Sequence, residues 1–265
     1  MSLLISNVFT YDEDAGNYIQ AVEAADAQAL EPATRKAINN FVIGCKQDGI
    51  WTAIKASCIL AGARTLAGAL QPLVGTAPTN VGFIGIGTDY VRKTGLVGDG
   101  STKYLNSNRN NNADPQNNRH LATYANLTSS GAQLFAGGRS AGNGIGATAL
   151  GWSGTQPQFR CIPDTDTAQV SGSASVGTAT LFGFSRNNGS DYTARVSGSS
   201  ASISSTSTTP NNINLFIFAQ NNQNISPQAY SSARLAFYSI GESLDLARLD
   251  ARVTDLINAF AVTIP

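Results

Sequence analysis

Charge is scarce in this chain. Only 13% of its 265 residues are Asp, Glu, Lys or Arg, and they cancel to a formal net charge of zero. Binding nucleic-acid phosphates needs a basic face, so nucleic acid is excluded as a partner, and no acidic field exists to attract a basic one. No apolar run approaches the ~20 residues of a membrane-spanning helix, so membrane insertion is not expected. The opening MSLLISNVFTYDEDAG has no cationic stretch, and Ser6 and Asn7 break its apolar run. No signal peptide is expected from it. Cysteines are few and odd in number: Cys45, Cys58 and Cys161 form no C-x-x-C pair. That argues against a disulfide framework or a zinc ribbon and for three buried free thiols.

Catalytic parts are missing as well. Glycoside cleavage usually needs two carboxylates facing one groove, yet no glutamate lies between Glu31 and Glu242. Gly138-Arg139-Ser140-Ala141-Gly142 has nucleophile-elbow spacing, but NGIGATALG after it is no helix, and the one histidine, His120, precedes the serine. It reads as a glycine-rich loop. Gly95, Gly100, Ser101, Thr102 and Lys103 resemble a phosphate loop whose lysine comes two residues late, where it cannot reach a phosphate. Gly85-x-Gly87 and Gly142-x-Gly144-x-Gly146 lack the dinucleotide-binding context and read as turns. Asp164-x-Asp166 could offer oxygen ligands to Ca²⁺ but suits a solvated turn better. The expectation is no enzyme, no cofactor and no assigned metal site.

What is present has a clear order. An apolar arm, Leu3, Leu4, Ile5, Val8 and Phe9, suits a first strand or a segment docking on a neighbouring subunit. Tyr18, Ile19, Val22 and Ala25 recur at helical spacing over 15–29, with Asp14 placed to cap the start. A second helix has Pro32 in its first turn, Ile38, Phe41, Val42 and Cys45 at steps of three and four, and Asp48-Gly49 at its end. Ser57 to Leu60 reads as a buried strand, and Trp51 as a core anchor rather than a sugar platform.

From Thr79 onward, short alternating runs replace helical spacing. Strands are expected over 82–86, 94–97, 102–105, 121–125, 133–136, 158–162, 213–219 and 233–240. The clearest unit is a hairpin, 178–186 with 191–197, joined by Asn187-Asn188-Gly189, a sequence that supplies positive φ cheaply. Residues 197–209 read as an edge strand or loop. Ser243 is placed to cap a closing helix whose Leu246, Leu249, Val253, Leu256, Ile257 and Phe260 form an apolar stripe that must be covered. The fold class is mainly β, a jelly-roll β-sandwich with N-terminal helices and a C-terminal helix. The expected organisation is an arm and helical region over 1–78, the sandwich over 79–241 and the closing helix over 242–265.

EAADAQALEP, AINNFVIGCKQDGIW and IKASCILAGARTLAGALQPLVG, then RKTGLVGDGSTKYLNSNRNNNADPQNNRH and RLAFYSIGESLDLARLDARV, resemble tailed-bacteriophage virion proteins with a concanavalin A-like, laminin-G-like jelly roll. The resemblance spans Asn17 to Val253 and carries no catalytic or binding residue. It implies a non-enzymatic virion component of the tail-fibre, spike or capsid-surface type, made in the host cytoplasm. The implied partners are the chain itself, as a homo-oligomer with a trimer among the options, and other virion proteins. Leu3, Leu4, Val8 and Phe9 are the candidate assembly contacts. A capsid decoration protein is one alternative. Another is a carbohydrate-binding module for a host surface glycan, with Asn106, Asn108, Asn110 and Trp152 as candidate contacts, since sugars are held by amide hydrogen bonds and an aromatic face. A solvated turn over 106–118 explains the same asparagines. A polysaccharide-degrading enzyme is least favoured.

Overall fold

The computed structural model describes residues 11–140, 144–223 and 226–265. The arm with Leu3, Leu4, Val8 and Phe9 lies outside the described residues. Helices α1 (Glu13–Asp26) and α2 (Pro32–Gln47) come first, then β1 (Ile54–Ile59) and the single turn α3 (Leu66–Ala69). Next are β2 (Thr79–Val81), β3 (Tyr90–Val91), β4 (Gly95–Val97), β5 (Tyr104–Asn110), β6 (Arg119–Asn126), β7 (Gln133–Arg139), β8 (Thr148–Trp152), β9 (Pro157–Cys161) and β10 (Gln169–Val170). After them, β11 (Ala179–Arg186), β12 (Asp191–Val196), β13 (Ser199–Ser204), β14 (Asn214–Ile217), β15 (Gln220–Asn222), β16 (Ser226–Gln228) and β17 (Arg234–Gly241) lead to α4 (Leu246–Thr263).

The strands make two sheets, a jelly-roll β-sandwich. One has the order β13-β12-β11-β6-β17-β4-β3, with β1 taking the flank of β17 from Phe237 to Gly241 after β4 has used Arg234 and Leu235. The other has the order β10-β9-β8-β7-β14-β5-β2, and β15 runs parallel to β7 at Gly137 to Arg139. Across the sandwich, Phe135 of β7 meets Phe182 of β11 edge-on at 4.9 Å between centroids. On the opposite face of the first sheet, Phe41 of α2 meets Phe237 of β17 at 5.8 Å. That sheet is therefore covered twice, which is why ARLAFYSI is apolar at nearly every position instead of alternating. Cys45, Cys58 and Cys161 are buried free thiols.

The helices follow their apolar stripes, and their caps differ from expectation. Asp12, not Asp14, caps α1, accepting from the Asp14 amide. Asp14 instead accepts from Trp51 Nε1 at 3.1 Å, and with Lys46 Nζ lying 5.7 Å over its ring, Trp51 is a pinned, partly buried anchor. Asp245, not Ser243, caps α4 through the amides of Ala247 and Arg248. Ser243 is two residues too early, and its amide and hydroxyl both donate to Asn118 Oδ1. The β11–β12 hairpin forms in the register Phe182↔Val196 to Ser185↔Thr193. Its turn uses no positive φ at Asn187, Asn188 or Gly189. Asn188 Oδ1 closes it by accepting from the amides of Ser190 and Asp191.

Two further expectations are corrected. Residues 82–86 form no strand, because Gly82 and Gly85 take positive φ and the buried Asp89 carboxylate gathers the amides of Ile84 and Gly85. The asparagine-rich loop starts later than its composition suggests: Asn106, Asn108 and Asn110 lie within β5, which has strand partners on both sides. From Phe216↔Asn106 to Asn214↔Asn110, β14 moves two residues while β5 moves four. The strand bulges there, around Asn108 at φ 55°.

Candidate functional site

Helix α4 packs on β11 and α2 reaches β17, both in the eight-stranded sheet. The outer face of the nine-stranded sheet carries a different surface. On β5 and β14 the side chains alternate: Leu105, Leu215 and Ile217 are buried, whereas Tyr104 and Phe216 are partly exposed on the opposite face. Their rings stack at 4.6 Å with 27° between planes, and Tyr230 stands edge-on to Tyr104 at 6.4 Å. Asn106 is the strand partner of Phe216 on one side and Gly137 on the other. Gly137 adds no side chain beside the Phe216 ring, and Gln220 of β15 pairs with the same glycine. Burial, then Tyr104 and Asp99, push the Tyr230 phenol up from its ordinary pKa, so it is held in its hydrogen-donating form. An apolar ring face ringed by hydroxyl and amide groups matches the amphipathic surface of a neutral sugar ring.

Farther along the same face is a cavity of ≈ 100 Å³, with Arg139, Gln158, Arg160 and Gln220 among its lining residues. Arg160 Nη1 donates to Asp166 Oδ1 at 2.8 Å. This hydrogen bond, more than the charges of Arg160 and Arg139, holds the Asp166 carboxyl below its ordinary range. The larger cleft, ≈ 360 Å³ between α2 and α4, is bordered by Arg252. Arg252 is already committed to Asp48 at 2.7 Å.

The glycan contacts expected from the sequence are placed unevenly. Asn106 lies beside the aromatic platform, but its Oδ1 accepts from the Asn108 amide. Asn108 is exposed and donates to Ala77 O and Thr79 Oγ1. Asn110 is tied to Asn212 at 2.7 Å. Trp152 is 5% exposed, in the core, with Nε1 donating to Ser130 O. It stands on β8, with β7 and β14 between it and the asparagines of β5. The structure thus gathers the asparagines along one strand and keeps Trp152 apart. Tyr104, Phe216 and Tyr230 were not singled out by sequence. Phe216 sits inside INLFIFA, and the one available signal was period-two alternation, which turns Phe216 away from Leu215 and Ile217.

The motifs with catalytic spacing have local explanations. His120 is buried between Glu242 O, 2.6 Å from Nδ1, and Ser239 Oγ, 2.7 Å from Nε2. A carbonyl can only accept, so Nδ1 carries the proton and Nε2 accepts from the Ser239 hydroxyl. Burial lowers the imidazole to about pKa 4. Both nitrogens are occupied, and Ser140 lies at the end of β7 in the other sheet with its amide on Asn211 Oδ1. In the loop resembling a phosphate site, the amides of Ser101, Thr102 and Lys103 point at the Asp99 carboxylate. Burial opposes the ionised form there, but these bonds and the Thr102 hydroxyl hold Asp99 below its ordinary pKa. That nest already contains its anion. Among the described residues, no group of three or more His, Cys, Asp or Glu side chains is placed to hold a metal.

No protein-family model matches the chain, and no curated relative matches it. Solved structures do resemble it. A mutant of Trypanosoma rangeli sialidase displaying trans-sialidase activity matches 84% of this chain and 39% of its own, at 10% identity and a TM-score of 0.52. The botulinum neurotoxin serotype D binding domain matches 77% of this chain and 50% of its own, at 9% identity and a TM-score of 0.50. The chain also spans 24% of the NanB sialidase of Streptococcus pneumoniae, with a TM-score of 0.43. The two similarities with TM-scores of 0.52 and 0.50 show the fold, a mainly β sandwich of jelly-roll type.

Proposed function

We propose that the chain is a non-catalytic binding domain whose nine-stranded sheet takes a glycan on its outer face, with Tyr104, Phe216 and Tyr230 as the platform. The carrying observation is the Tyr104–Phe216 stack, turned outward from two strands whose neighbouring residues build the core. Leaving aromatic surface exposed to water on a sheet is costly unless a ligand covers it, and a sugar ring has the matching apolar face. The non-enzymatic reading is supported by the neutral, doubly bonded His120. The sequence resemblance to virion proteins supports a tail-fibre or capsid-surface setting, where a homo-oligomer multiplies weak sugar contacts into firm adhesion.

A glycan array on the intact chain, followed by calorimetry on Tyr104→Ala, tests this. Array binding that falls about 5–30-fold in the variant, the worth of one stacking ring at ~1–2 kcal/mol, is the expected result. An array at background, or a folded variant that binds as tightly as the parent, would sink the proposal. A second reading, a chiefly structural assembly role, is favoured by Ile84 and Ile86, 75% and 60% exposed on a loop held rigid by Asp89. A strict monomer in light scattering at micromolar concentration would remove it.

A further inference from the structure

We infer that the ligand is an acidic oligosaccharide, whose anionic group sits between Arg139 and Arg160 while a neutral ring rests on Tyr104 and Phe216. This rests on the glycan reading proposed above and adds the charge class of the sugar. Four adjacent strands set the geometry. In register, Phe216 of β14 pairs with Gly137 of β7, Gly137 with Ala149 of β8, and Ala149 with Arg160 of β9. Phe216 and Arg160 thus stand in one row across the sheet, three strand spacings or about 14 Å apart. The two residues between them are Gly and Ala, which add no long side chain of their own, and Gln220, paired with Gly137 from β15, borders the cavity. An extended oligosaccharide laid across the strands reaches both.

The cavity itself is built for an anion. Two guanidinium groups line it, and the carboxylate bonded to Arg160 is that of Asp166, whose side chain is 54% exposed and hydrated. One positive charge is left over. Arg139 Nε is buried and has no hydrogen-bond partner among the described residues, a costly state that an added acceptor nearby would relieve by reorienting the guanidinium. Gln158 and Gln220 add amide groups to the wall. At ≈ 100 Å³ the space suits a carboxylate or sulfate substituent, not a whole sugar ring. The chain's net charge is zero, so this surplus is a local feature and no part of a general basic field. A forked guanidinium recognises a carboxylate or sulfate through paired, charge-assisted hydrogen bonds.

Calorimetry on the full chain with three probes tests the inference: oligogalacturonate, a sulfated dextran oligosaccharide, and neutral cellohexaose. The expected result is that one or both acidic probes bind at least about tenfold tighter than the neutral one, the worth of a charge-assisted contact. Binding of oligogalacturonate alone assigns a carboxylate, and of the sulfated probe alone a sulfate ester. Arg139→Gln with Arg160→Gln should erase that margin and leave the neutral sugar bound as before, which also reports an intact fold. Equal binding of neutral and acidic probes, or an acidic preference that survives the double substitution, overturns the inference and leaves the glycan reading standing. Binding of no probe, together with a silent array, overturns both.

Discussion

Lowering the pH from 7.5 to 5 should cost this protein about 2 kcal/mol of stability through one side chain. His120 is the chain's single histidine. It is 2% exposed, and burial lowers its pKa from the ordinary 6.5 to about 4. A base with a depressed folded pKa binds protons in the unfolded state first. The stability it supports is therefore complete above 6.5, falls as pH drops through the unfolded value, and has fully gone below the folded one. At pH 5 the unfolded chain is 1.5 units below its midpoint while the folded chain is scarcely protonated, which at ~1.36 kcal/mol per unit gives ~2 kcal/mol. Carboxylates act in a lower window: Glu31, held at about 2 by its hydrogen bond from Arg92 against burial, loses its contribution only below its unfolded 4.5. Urea unfolding at the two pH values measures the difference, and melting should fall by roughly 4–8 °C. His120→Leu should remove the pH 5–7.5 slope, while costing ~1–3 kcal/mol at pH 7.5 by stranding the Ser239 hydroxyl and the Glu242 carbonyl. Should that variant fail to fold, the imidazole resonance of the parent serves instead. An imidazole titrating near 6.5, or a slope that persists without His120, refutes the burial argument.

Other perturbations probe the frame that holds the site. Arg186 is fully buried, donates to Cys161 O, Ser205 O and Asn188 O, and lies 5.2 Å from the Tyr192 ring centroid. Arg186→Lys cannot reproduce that fork, so denaturant unfolding should show a loss of ~3 kcal/mol or more despite the retained charge. Asp245→Ala removes the cap of α4 and should cost ~1 kcal/mol by the same measurement, as N-cap deletions do. Gly95 has φ 101°, and a Cβ there would lie 2.2 Å from Leu235 O. Gly95→Ala should open the β4–β17 pairing, seen as faster amide exchange at Leu96, the partner of Leu235, and at Gly98, whose amide donates to Ala233 O.

Sequence patterns report burial well and surface assembly poorly, and the site lies on the poorly reported side. INLFIFA and ARLAFYSI are legible as strands because both faces of β17, and one face of β14, are packed, and apolar density is what burial leaves in a sequence. The caps of α1 and α4 are missed by two residues because several acidic or hydroxyl residues precede each helix and any could serve. The choice between Ser243 and Asp245 depends on Asn118, which is 125 residues away and takes both Ser243 donors. The same limit governs β5. Asparagine favours turns, so Asn106 to Asn110 reads as loop until β2 and β14 are known to flank it, and only then is Asn108 a bulge with φ 55°. β8 escapes notice because TALGW is short and its burial comes from neighbours on both sides. The aromatic platform is the extreme case. Tyr104, Phe216 and Tyr230 come from three separate parts of the chain, and no spacing rule relates them. Phe216 looks like core by composition, and only the buried Leu215 and Ile217 on either side turn its ring outward. Tyr104 likewise precedes Leu105, whose burial fixes the opposite side of β5 as inward. Register then places Phe216 beside Gly137 and in one row with Arg160, so the surface that could hold a sugar is a product of strand pairing, specified by residues that never touch the ligand.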